Sequence, residues 1–69
     1  MTANAISNDE RFIRLHEVLD MTGLSRSSLY SMVSEGKFPE PVGIGGKSKA
    51  WLLSETTAWM QERIKRSRE

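Results

Sequence analysis

A chain of 69 residues without cysteine allows one small domain that buries only about 60% of its unfolded surface and is held by packing alone, with no disulfide or thiolate-zinc staple. The net charge of +1 is too small to argue for a polyanionic partner, and the longest apolar run, Ala50 to Leu53, is far short of the roughly 20 residues of a membrane span. The opening "MTANAISNDE" has neither the basic nor the apolar region of a signal peptide, so a cytoplasmic location away from membranes is expected.

In chain order, residues 1–10 are small and polar without a period and read as a disordered leader, with the folded unit over 11–66. The leader carries two acids, whereas no acid lies between Met21 and Ser34 or between Pro41 and Ser54. Arg26, Lys47 and Lys49 therefore have no acidic sequence neighbours, and a small basic patch is expected. In "RFIRL", Phe12 and Ile13 form a short extended entry. Leu15, Val18 and Leu19 then follow the i, i+3, i+4 spacing of one helix face, which ends at Gly23 in the manner of a left-handed C-cap. Ser25 is placed to N-cap the next helix.

Half of the ten residues from Ser25 to Ser34 are serine, a mediocre helix former whose hydroxyl competes for backbone groups. Leu29, Met32 and Val33 supply the apolar face that anchors this helix, while Ser27, Ser31 and Ser34 fall near the opposite side. The helix is expected to stop at "EGKFP", where Gly36 can take a positive φ and Pro39 forbids continuation. "PVGIGGKSKAWLL" then reads as a hairpin over 42–53 with a glycine and lysine tip. A last helix is expected to start at Ser54 as N-cap, with Trp59, Met60 and Ile64 as its apolar stripe. Its closing cations, Lys65, Arg66 and Arg68, suit the helix dipole.

Two helices joined through a glycine turn make a helix-turn-helix, whose second helix enters the major groove. A face of small hydroxyls permits close approach to a duplex, and each hydroxyl both donates and accepts. The span "RLHEVLDMTGLSRSSLYSMVSEGKFPEPVGIGGKSKAWLLSETTAWM", residues 14–60, resembles the AlpA family of phage-type regulators and their excisionase relatives. The features shared in order are "TGLSRSSLY", "EGKFP", the Gly-Gly-Lys turn, the tryptophan strand and "AWM". The resemblance implies a mainly α fold with a small β-hairpin, a MerR-like winged helix-turn-helix. It also implies sequence-specific binding to double-stranded DNA, used to regulate transcription or to direct prophage excision.

Carried onto this chain, the resemblance puts base reading on Arg26, Ser27, Tyr30 and Ser31 of a recognition helix over 26–35, and puts the wing tip, Lys47 and Lys49, on the flanking minor groove or backbone. Ser25, Ser28 and Ser48 complete the candidate DNA-binding set, with the backbone amides at the helix start facing phosphate in this arrangement. The set requires Ser27 and Ser31 to point outward and the hairpin tip to project from the same side. Further copies side by side on DNA, and an integrase, are the additional partners expected; no cofactor is.

Rival readings draw on the same residues. A protein-interaction adaptor or anti-repressor would use the serine face with the Met32 and Trp59 surfaces. Arg26 has Glu17 and Asp20 as candidate ion-pair partners, and His16 is expected to cap or pair near Asp20. "GGKS" resembles the end of a P-loop, but Pro41 stands where that motif needs its first glycine. An enzyme is disfavoured, because Glu17, Asp20, Glu35 and Glu40 are scattered and no nucleophile has a base beside it.

Overall fold

The computed structural model describes residues 10–69. The leader expected over 1–10 lies outside the described residues except for Glu10. The order is β1 (Phe12–Ile13), α1 (Leu15–Thr22), α2 (Arg26–Ser34), β2 (Val42–Gly45), β3 (Ser48–Leu52) and α3 (Leu53–Ser67). Three helices thus accompany a three-stranded antiparallel sheet in the order β1-β3-β2, a winged helix-turn-helix as expected. No helix among the described residues is long and apolar enough to cross a membrane.

The turn between α1 and α2 follows from its sequence. Gly23 closes α1 at φ +76° and donates its N–H to the Leu19 carbonyl at 2.8 Å, the left-handed cap that glycine adopts without a Cβ penalty. Leu24 is half-buried against the core. The Ser25 hydroxyl then accepts the Ser28 amide at 3.1 Å, capping α2.

Between α2 and the hairpin the chain is fixed from two sides. The buried Trp51 donates its indole N–H to the Pro39 carbonyl at 2.9 Å, and Trp59 of α3 donates to the Lys37 carbonyl at 2.8 Å. Phe38, between those carbonyls, is buried with its ring 4.8 Å from that of Trp59 at a 57° tilt, a favourable aromatic geometry. Around this clamp Ile13, Val18, Leu29, Phe38 and Trp51 form the core, with Leu15, Leu19, Met32, Val33 and Trp59 packed against it.

In the wing, Val42 pairs with Ala50 and Gly43 with Lys49, but Gly45 pairs with Ser48. The register therefore slips at Ile44, a bulge that turns the hairpin tip. Gly45 and Gly46 take φ of +139° and +54° there, conformations open to glycine. All of β2 is exposed. β3 buries Ala50 and Trp51, and Trp51 pairs with Ile13 across the sheet.

Two expectations for α3 are corrected. Its N-cap is Leu52, which has no side-chain cap, and Ser54 lies inside the first turn. The capping is done from outside: the Glu10 carboxylate accepts the Ser54 amide at 2.9 Å and the Ser54 hydroxyl, while the Arg11 carbonyl accepts the Leu53 amide at 2.9 Å. Ile64, expected in the apolar stripe, is 48% exposed. The helix runs for 15 residues, about 22 Å, and its last turns outrun the core. At α1 a second carboxylate acts similarly, since Glu17 accepts the Arg14 amide at 2.9 Å and pairs with Arg11 at 3.1 Å.

These hydrogen bonds, chiefly from Ser54 to Glu10 and from the Arg14 amide to Glu17, hold both carboxyls below their ordinary value of 4.5. A depressed folded pKa gives stability that is present above the unfolded pKa and lost as pH falls through the folded one. The melting temperature is therefore expected to drop below about pH 4.5, and the Glu10→Gln, Glu17→Gln double variant should flatten that drop; an unchanged pH profile would contradict the capping roles. Trp51→Phe strands the Pro39 carbonyl in the protein, which should cost about 1–3 kcal/mol in a denaturant titration.

Candidate nucleic-acid interface

α2 presents three strips. Leu29 is fully buried on the core side, and at about 100° per residue Ser27 and Ser31 lie nearly opposite it, exposed as expected. Arg26, Tyr30 and Val33 lie on one flank of that ridge, and Ser28 and Met32 on the other. Each flank opens into its own concavity.

The first, of about 1050 Å³, is lined by Arg26 and Tyr30 of α2, by Lys47, Ser48 and Lys49 of the wing tip, and by Arg14 and His16 at the start of α1. Tyr30 is 48% exposed and lines this cleft beside Val33, Pro41 and Trp51. Four cations, Arg14, Arg26, Lys47 and Lys49, share a lining whose one carboxylate is Glu40. Among the described residues Arg26 forms no ion pair; Glu17, its candidate partner, is taken by Arg11. His16 lines the cleft and makes no hydrogen bond to Asp20 among the described residues, so the expected His16–Asp20 pairing is not present.

The second concavity, of about 820 Å³, lies between α2 and α3. Ser27, Ser28 and Ser31 form one wall; Leu24, Met32, Trp59, Met60 and Ile64 give it an apolar floor, and Arg63 stands on the α3 side. The Arg63 guanidinium lies 5.0 Å from the centre of the Trp59 ring, a cation–π distance.

The candidate set is thus divided between the two concavities that flank α2. Arg26, Tyr30, Lys47, Ser48 and Lys49 meet in the wing cleft, whereas Ser27, Ser28 and Ser31 border the other groove. Ser25 belongs to neither lining and spends its hydroxyl locally, donating to Ser28 Oγ at 2.9 Å, with Ser27 Oγ 3.4 Å away. Ser25 is accounted for by capping, whereas Ser28 lends the cap its amide and its hydroxyl accepts from Ser25. The serine ridge is not the wall that faces the wing, because only Arg26, Tyr30 and Val33 have the helical phase to face it. Arg14 and His16 were not among the expected contacts, and Arg63 opens the basic run "RIKRSRE", which by sequence reads first as a solvated helix end and only second as a phosphate contact. Their positions depend on the pairing of β1 with β3 and on the packing of α3 along α2, which sequence spacing does not show.

The model of the prophage CP4-57 regulatory protein (AlpA) family matches residues 11–64, which takes in every element from β1 to most of α3. ORF88, an uncharacterized protein of Enterobacteria phage P4, is 54% identical over 55 residues, covering 80% of this chain and 62% of that protein. The chain thus spans less than two thirds of the length of the phage protein. The DNA-binding transcriptional activator AlpA of Escherichia coli K12 is 30% identical over 61 residues, covering 80% of this chain and 87% of the activator. With the match running through the turn, the clamp and the wing, the chain belongs to the AlpA family of prophage regulatory proteins.

Proposed function

We propose that this chain binds double-stranded DNA in a sequence-specific manner and acts as a prophage-type regulator, with α2 in the major groove and the β2–β3 wing on the flank. The observation that carries the reading is the cleft in which Arg26 and Tyr30 of α2 meet Lys47, Ser48 and Lys49 of the wing. A major groove about 12 Å wide admits a helix, and a neighbouring ribbon tipped with cations then meets the phosphates beside it. Membership of the AlpA family and likeness to a DNA-binding transcriptional activator support the same reading.

Arg26 reads a base edge, since it is exposed at the first position of α2, where recognition helices present their N-terminal residues. Lys47, Lys49 and Arg14 position the protein on phosphate. Ser27 and Ser31, on the outward ridge, are short enough to let the helix backbone approach the bases. Binding involves no chemistry. The same docking serves transcriptional control or, where the duplex is bent at prophage ends, an excisionase-like role with an integrase as partner. One module of this kind buries about 600–1,000 Å², so copies side by side on repeated sites raise occupancy.

A second reading, a protein-interaction adaptor, is favoured by one observation: the groove floored by Leu24, Met32, Trp59 and Met60. Mutation separates the two. Lys47→Ala with Lys49→Ala should weaken binding to every duplex alike and make the slope of log K against log salt shallower by about 1.8. Arg26→Ala should cost about 1–3 kcal/mol on the preferred site alone and relax specificity at one base pair. Unchanged duplex affinity in both variants, with melting temperatures intact, would favour the adaptor.

A further inference from the structure

We propose that Arg63 of α3 grips the DNA backbone on the flank of α2 opposite the wing, so that the protein holds both phosphate walls of the major groove. The inference rests on the DNA-binding reading above and adds to it a contact outside the helix-turn-helix and wing.

A helix with its side chains is about 10–12 Å across and fills a major groove about 12 Å wide. Groups standing beside it on either flank therefore meet the two backbones. On one flank of α2 stands the cationic wing cleft. On the other, across the groove bordered by Ser27, Ser28 and Ser31, the charged residue is Arg63, and the lining includes no carboxylate. No acid occurs in α2 itself, so nothing along that wall repels a phosphate.

Unlike Arg66 and Lys37, Arg63 is uncommitted to a carboxylate among the described residues. Arg66 pairs with Glu62 at 3.4 Å and Lys37 with Glu35 at 3.4 Å, while Arg63 joins no ion pair among the described residues. It is nevertheless held in place: the face of Trp59 lies 5.0 Å beneath it, and the Trp59 N–H is fixed on the Lys37 carbonyl. A guanidinium stacked on an aromatic ring keeps its N–H edge free, and that edge suits a phosphate. The serine wall opposite offers hydroxyls for the same backbone.

The test measures duplex affinity across a salt series for the full chain and four variants: Arg63→Ala, Arg63→Lys, Arg66→Ala as a control of equal charge, and the Lys47, Lys49 double alanine. The probe is a short mixed-sequence duplex, and thermal melting checks the fold of each variant. Arg63→Ala should make the salt slope shallower by about 0.9, Arg63→Lys should restore it, and Arg66→Ala should leave it near that of the parent. A parental slope in Arg63→Ala, or an equal change in Arg66→Ala, overturns the proposal. If the wing double alanine still weakens binding in that case, only the Arg63 contact fails; if it too has no effect, the DNA-binding reading fails with it.

Discussion

The arrangement depends on the segment Lys37 to Pro39, held between two tryptophans. Trp51, on the central strand, takes the Pro39 carbonyl, and Trp59, on α3, takes the Lys37 carbonyl, while Phe38 fills the space between them. A connector has no ladder or helix to satisfy its backbone groups. Two indole N–H donors do so here and bury apolar rings in the same step. Because the segment joins the end of α2 to the start of β2, fixing it fixes the angle between helix and wing. The cleft shared by Arg26, Tyr30 and the wing tip follows from that angle.

The same economy governs the helix ends. α2 is short and rich in serine, and its outward residues contribute nothing to the core; Leu29, fully buried, and Met32 and Val33, half-buried, hold it in place. A fully buried apolar side chain is worth about 1.5–3 kcal/mol, which offsets the roughly 2 kcal/mol that poor propensity costs across the serines. Capping comes from whichever group is in reach: a serine at α2, and carboxylates at α1 and α3. The exposed ridge is thereby left free of structural duty, as a surface that approaches a duplex requires.

Much of this was legible in the residues. The i, i+3, i+4 apolar spacing located α1 and α2, Gly23 and Ser25 marked the turn between them, and the glycines around Lys47 marked the hairpin tip. What spacing could not supply was partnership at long range. Ser54 has the chemistry of an N-cap but sits two positions past the N-cap, inside α3, and the group that caps the helix, Glu10, lies 44 residues away in what reads as a leader. Ile64 keeps the helical period but not burial, since a period says which residues share a face and not how far along the helix the core extends. The serines and the wing tip read as one surface because both were exposed and free of acids. Helical phase separates them, placing Arg26 and Tyr30 beside the wing and Ser28 beside α3. Arg14, His16 and Arg63 came to these surfaces only through β1–β3 pairing and the packing of α3.

On the proposed reading, the clamp presents α2 and the wing to one duplex as a single rigid surface. Amide chemical shifts of the isotopically labelled chain, followed during titration with a duplex that it has itself selected from a random pool, test this most directly. The amides of Arg26, Tyr30, Lys47, Ser48 and Lys49 should move together along one saturation curve, with Phe12 and the exposed strand β2 upstream of its tip undisturbed. Shifts that left either α2 or the wing unmoved at saturation, or that centred on Phe12 and Val42, would contradict it.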